Sequence, residues 1–137
     1  MASQAREVGE RWFDVVSGGD RDAARALLAD GVDFYAPSVE ASSVDEIVEA
    51  LLGYSVAIPD ARFEIARWHE ARDTAVAEGV YRGTHTGPLR TPQGEVPATG
   101  RQIAIPLTTV VAARDGKLTV HRAYWDNLTF MGQLGLA

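Results

Sequence analysis

At 137 residues the chain has the length of one domain with room for a real core, and residues 1–137 are read as a single unit. A formal net charge of −6 without any basic run argues against a nucleic-acid partner. The absence of cysteine excludes disulfides, thiolate metal sites and cysteine nucleophiles. Histidines scattered at 69, 85 and 121 give a metal site little to build on, and no apolar run approaches membrane-spanning length.

The opening residues are polar and lack the apolar core of a signal peptide, so a cytoplasmic protein is expected. Ser3 to Val16 read as an amphipathic helix, with Val8, Trp12, Val15 and Val16 at helical spacing and Ser17-Gly18-Gly19 as the stop. Asp20 can cap a second helix through Ala23, Ala24, Leu27 and Leu28, ending at Asp30-Gly31. Val32 to Ala36 is a short strand closed by Pro37. Ser43 can cap a third helix carrying Ile47, Ala50, Leu51 and Tyr54, which Pro59-Asp60 breaks.

From there the period changes to two. Arg62 to Arg72 and Thr74 to His85 read as long antiparallel strands, and Gly87 to Gly100, with its prolines, as a long loop. Arg101 to Ala113 and Lys117 to Asp126 form a second hairpin over Arg114-Asp115-Gly116, and a short helix from Thr129 to Leu134 closes the chain. Helices followed by antiparallel strands indicate an α+β domain. The expected form is a cone: a curled antiparallel sheet wrapped around the N-terminal helices, with one open mouth for a small ligand.

The last strand holds the most informative residues. Strict alternation puts Leu118, Val120, Arg122, Tyr124 and Asp126 on one face. A face that passes from apolar to ionisable reads as a pocket wall, where a carboxylate could be desolvated into a general base. By the same alternation His121 faces solvent or a partner. Val110, Ala112, Ala123 and Trp125 then form an outer apolar face, from which a homodimer or dimer of dimers is expected.

The helix pair with Asp20 and the run Asp30-Gly-Val-Asp-Phe-Tyr-Ala-Pro37 are similar to the opening of nuclear-transport-factor-2-like folds, also called cystatin-like α+β barrels. Gly83-Thr-His-Thr-Gly87, the Pro-Ala-Thr-Gly100 turn, the Asp115-Gly-Lys hairpin, His121-Arg-Ala-Tyr-Trp-Asp126 and Gln133-Leu-Gly-Leu resemble the SnoaL-like polyketide cyclases of that superfamily. The resemblance implies an intramolecular aldol ring closure on a polyketide-type substrate, as in antibiotic biosynthesis, without metal or cofactor. It makes Asp126 the residue that takes the carbon-bound proton. The family pattern before it is often His-Trp-Asp-x-x-Asp, and here the earlier acidic position is Ala123. The fold also carries isomerases, epoxide-opening enzymes and binding proteins, so another reaction or plain ligand binding stays open.

Several candidates have two readings. Asp126 is the general base, or it caps the final turn through Asn127 and Thr129. His85, between two glycines, hydrogen-bonds a substrate carbonyl, or it anchors the proline-rich loop. Tyr124 steadies an enolate oxygen. Arg122 binds a substrate carboxylate, or pairs with an acidic neighbour and lowers its pKa. Tyr35 and Tyr81 are polar points near the mouth. Trp12 and Tyr54 are core residues or substrate contacts. Leu118, Val120, Phe63, Ile65 and Ile105 are the expected apolar floor.

Overall fold

The structure, a computed structural model, describes residues 2–136. Helix α1 (Gln4–Ser17) begins where the Ser3 hydroxyl accepts the Arg6 N–H at 3.1 Å. Ala5, Val8, Gly9, Trp12, Phe13 and Val16 are all buried, the stripe that a 3.6-residue period puts on one face. Asp20 caps α2 (Arg21–Ala26) by accepting the Ala23 N–H, and Ser43 caps α3 (Val44–Ala57) by accepting the Glu46 N–H. The acidic first turn of α3, Asp45 and Glu46, complements the helix dipole.

The strands are β1 (Leu28–Tyr35), β2 (Arg62–Ala71), β3 (Thr74–Thr84), β4 (Leu89–Thr91), β5 (Gly94–Val96), β6 (Gln102–Arg114) and β7 (Lys117–Trp125). Five of them form one sheet in the order β1-β7-β6-β3-β2. The β1–β7 pair is parallel and the rest are antiparallel, so the sheet is mixed rather than wholly antiparallel. Strand β1 starts at Leu28, inside the stretch read as the second helix, because Leu28 pairs with Leu118 of β7. The loop expected over Gly87 to Gly100 contains the small β4–β5 hairpin. Between β6 and β7, Asp115 and Gly116 both have positive φ, 54° and 77°, as a two-residue hairpin turn of matching twist requires.

Three register shifts interrupt the sheet: one lies between Leu28 and Asp33 of β1, and the other two are single-residue bulges. In β2, Ile65 pairs with Gly79 and Arg67 with Glu78, leaving Ala66 as an extra residue. A Cβ at Gly79 would run into the Glu64–Ile65 backbone, so the close approach needs glycine. In β7, Leu118 pairs with Ala113 and Val120 with Ala112, leaving Thr119 extra. Such bulges bend a strand, increase its twist and exchange its faces beyond the insertion.

The core lies between α1, α3 and the concave face of the sheet, with Val8, Trp12, Phe13, Leu28, Ile47, Val48, Val111 and Leu118 among its buried members. A smaller cluster of Ile58, Leu89, Ile103, Ile105, Phe130 and Leu134 sits under the final helix, α4 (Asn127–Gln133). There the Gln133 side chain accepts the Ala104 N–H at 2.7 Å and donates to the Ala104 carbonyl at 3.0 Å. Pairing of β6 with β7 begins only at Leu107, so the glutamine amide satisfies backbone groups that no strand covers.

Candidate active site: an apolar cavity with neutral polar groups

Between the two clusters lies a cavity of about 70 Å³. Helix α1 contributes Trp12, Phe13 and Val16, and α3 contributes Leu51 and Tyr54. The sheet contributes Phe63, Tyr81, Ile105, Leu107, Thr109, His121, Ala123 and Trp125, and Phe130 of α4 closes one side. The rings form two packed groups: Phe13 lies 4.7 Å from Phe63 and Phe63 4.9 Å from Tyr81, while Tyr54 lies 6.0 Å from both Trp125 and Phe130. Among the described residues no charged side chain lines the space. Its polar groups are the phenols of Tyr54 and Tyr81, the Thr109 hydroxyl, the His121 imidazole and the indoles of Trp12 and Trp125.

The inward face of β7 is therefore His121, Ala123 and Trp125, the reverse of the alternation read from the sequence. The bulge at Thr119 is the physical reason. Leu118 faces the core, and one extra residue later the odd-numbered side chains take the inward positions. His121 is buried, with its ring stacked on Phe34 at 5.4 Å and edge-on to Trp12 at 5.3 Å. Burial pushes its pKa down to about 4, so the ring is neutral at pH 7. Its Nδ1 is sealed in without a hydrogen-bond partner among the described residues. Burial raises the Tyr54 phenol, and burial followed by the nearby Tyr54 and Asp60 groups raises Tyr81, so both stay protonated donors.

The opposite face of β7 carries a solvent-side network. Arg122 pairs with Asp33 at 2.8 Å, donates from Nε to the Tyr124 hydroxyl at 3.0 Å and lies over the Tyr35 ring at 5.2 Å. Tyr35 and Tyr124 are exposed and pack on one another at 5.2 Å. Arg122, Tyr124 and Tyr35 thus lie outside the cavity, against the sequence expectation.

Asp126 is outside it as well. The strand ends at Trp125, and Asp126 is the exposed N-cap of α4. It accepts the Leu128 and Thr129 N–H groups at 2.9 and 3.2 Å and the Thr129 hydroxyl at 2.9 Å. Those bonds, the Thr129 hydroxyl first, hold its carboxyl below the usual range. A desolvated base with a raised pKa is the opposite of this environment, and the capping reading describes what is found.

His85 is fully buried but does not line the cavity. Its Nδ1 accepts the Thr99 N–H at 3.2 Å and lies 2.9 Å from the Thr99 hydroxyl. Its backbone bonds to Arg101 and Gly100 tie the 97–101 turn to the end of β3. The flanking glycines have a packing reason: a Cβ on Gly83 would meet Ile58, and one on Gly87 would meet the Val56 carbonyl at the end of α3. Of the expected floor, Phe63 and Ile105 line the cavity, whereas Leu118 and Ile65 belong to the main core and Val120 is half-buried. Trp12, Tyr54 and Tyr81 line it too. Alternation alone assigned His121 to the outside, and one signal pointed the other way. His121, Ala123 and Trp125 carry no formal charge at pH 7, while Arg122 and Asp126 share the other face.

The model of the SnoaL-like polyketide cyclase family matches residues 6–134. The chain belongs to the SnoaL-like polyketide cyclase family. Among curated proteins none matches it at a significant level. Solved structures share the fold. TsrD from Streptomyces laurentii is 22% identical, with a TM-score of 0.78 over 96% of this chain and 95% of that one. A SnoaL-like polyketide cyclase from Jannaschia sp. CCS1 is also 22% identical, with a TM-score of 0.79 over 98% and 93%. A protein of ketosteroid isomerase-like fold from Catenulispora acidiphila is 20% identical, with a TM-score of 0.76 over 97% and 95%. Membership gives the family's cyclase or isomerase type of activity as the frame for this cavity. No helix among the described residues is long and apolar enough to cross a membrane.

Proposed function

We propose that this SnoaL-like protein closes or isomerises small neutral carbonyl compounds of polyketide type, in the cavity between α1, α3 and the curled sheet, without a cofactor. The observation that carries this reading is the lining: an aromatic and aliphatic wall interrupted only by neutral polar groups. An intramolecular aldol closure needs a folded substrate and a donor on the oxygen that becomes negative. The wall supplies the first by shape, and the protonated Tyr54 and Tyr81 phenols supply the second. A charged ligand would have to shed its hydration with no counter-charge to meet it, so free carboxylates are excluded by energy rather than by size.

A cavity of about 70 Å³ is smaller than a seven-carbon diketone, so a substrate of this class must displace lining side chains such as the Tyr54–Trp125–Phe130 cluster. Heptane-2,6-dione, a small neutral diketone able to close on itself, is the probe. It should shift the indole resonances of Trp12 and Trp125 and turn over to its isomeric cyclic hydroxyketone. The keto acid 6-oxoheptanoate should do neither. Equal binding of the keto acid would contradict the reading.

The outer sheet face, with exposed Tyr124 and Pro106 and half-buried Val76, Val80 and Val110, is the surface assigned to a second copy. Of Val110, Ala112, Ala123 and Trp125, on which the sequence reading rested that expectation, Ala123 and Trp125 face inward. Sedimentation at micromolar concentration should give twice the chain mass, and the monomer mass would refute the pairing.

A further inference from the structure

We propose that His121 is the proton-transferring residue of this cavity, taking the carbon-bound proton beside the substrate carbonyl on Nε2 and returning it after ring closure. The inference rests on the carbonyl-cavity reading above and deepens it. Enolisation without a cofactor needs an acceptor that is unprotonated at neutral pH and close to the carbon. Among the described residues no carboxylate, lysine or arginine lines the cavity. The phenols of Tyr54 and Tyr81 are held protonated by burial, and a threonine hydroxyl is too weak a base. His121 is the lining side chain with a basic lone pair.

Its geometry suits the role. Phe34 and Trp12 clamp the ring from the stacked and edge sides, so it is positioned before substrate arrives. Nδ1 is sealed in without a partner, which leaves Nε2 as the nitrogen able to meet a ligand. With its own proton on Nδ1, the ring presents the Nε2 lone pair. Burial that holds the pKa at about 4 makes the imidazole about as basic as an ordinary aspartate, for which the reference value is ~3.9, while keeping it unprotonated. Ala123, two residues on and on the same wall, leaves space beside the ring for the reacting carbon.

The step balances within the substrate. The C–H bond breaks, the proton passes to Nε2, and the electron pair becomes the enolate, whose oxygen accepts a hydrogen bond from a tyrosine phenol. The enolate carbon then bonds to the second carbonyl carbon as that C=O π bond opens. The resulting alkoxide takes the proton back from the imidazolium. Substrate and product are isomers, and His121 ends as it began.

The test follows deuterium entering heptane-2,6-dione next to its carbonyls in D₂O, by NMR, for the wild type, His121→Asn, His121→Gln and the double variant His121→Asn/Ala123→Asp. Rates are taken per folded molecule from thermal melts of the same preparations. The wild type should exchange above buffer, the single variants should lose roughly a hundredfold or more, and the double variant should recover at least tenfold by placing a carboxylate on the same wall. Wild-type exchange rates in the single variants would overturn the role. Where a variant does not fold, the His121 Nε2 resonance of ¹⁵N-labelled wild type decides: it should move on adding the diketone, and an unmoved resonance overturns the role. Shifted Trp12 and Trp125 indoles without exchange overturn the role of His121 and leave the cavity as the binding site. Unshifted indoles overturn the carbonyl-cavity reading and this inference together.

Discussion

Arg122 and Tyr124 lie on one face of β7, and His121, Ala123 and Trp125 lie on the other. On the outer face an arginine is paired with Asp33, and its Nε donates to the Tyr124 hydroxyl in a solvent-side network. Such exposed ion pairs contribute little to stability. On the inner face an imidazole stays neutral among aromatic rings with one nitrogen unpartnered. The same strand therefore holds one set of groups whose chemistry is spent on each other and water, and another whose chemistry is unspent. Ionisable residues gathered in sequence mark the first kind as readily as the second, and the unspent set is the one that points to a site.

The contrast is one of environment, and the largest effect should come from moving an outer-face group inward. Ala123→Arg places a guanidinium in the apolar cavity, where no counter-charge among the described residues meets it. An unpaired buried guanidinium costs several kcal/mol, a large share of the roughly 5–15 kcal/mol that holds a domain together. The variant should lose its cooperative thermal transition by circular dichroism. A wild-type melt would mean that position 123 does not face the cavity.

The neutral state of His121 can be read from stability. Its folded pKa of about 4 lies below the ordinary value of 6.5, so between those pH values the unfolded chain binds a proton that the native protein does not. Stability therefore rises with pH across this window and is lost on acidification from 6.5 towards 4, by roughly 3 kcal/mol at most. Denaturant titrations should show this slope in the wild type and a flatter one in His121→Phe. Parallel slopes would place the imidazole in a wetter setting.

Asp126→Ala tests the helix cap against the base. Loss of the bonds to Leu128, Thr129 and the Thr129 hydroxyl should lower the melting temperature by a few degrees and leave turnover per folded molecule unchanged. An unchanged melt with turnover down a hundredfold would reinstate Asp126 as the base. Tyr124→Phe should have the smallest effect, a melting shift within about 2 °C and no change in turnover, because among the described residues the hydroxyl it removes accepts only from half-buried Arg122.

Much of the fold was legible because its signals are local. Asp20 and Ser43 cap their helices as their side chains suggest, Ser3 caps the helix it was read to begin, and the Asp115-Gly116 turn closes the hairpin it predicts. The parts that were not legible depend on distant partners. Leu28 continues the second helix by local pattern and becomes a strand because Leu118 lies beside it. The bulges at Ala66 and Thr119 exist only relative to β3 and β6. The passage of one face from Leu118 and Val120 to Arg122 and Asp126 reflects that bulge: the apolar member Leu118 faces in, and the ionisable members lie beyond the point where the faces exchange. For the site, Trp12, Tyr54 and Tyr81 were nameable as aromatic residues, whereas His121 required the register.

The absence of native cysteine makes the central claim directly measurable. Single-cysteine variants Arg122→Cys, Ala123→Cys and Tyr124→Cys can be timed against a thiol-labelling reagent in the folded protein. The structure, with Ala123 at 6% exposure and Tyr124 at 44%, predicts fast labelling at 122 and 124. At 123 it predicts labelling at least a hundredfold slower, slowed further by heptane-2,6-dione. Fast labelling at 123 with protection at 122 and 124 would put the opposite face of β7 in the cavity and contradict the account.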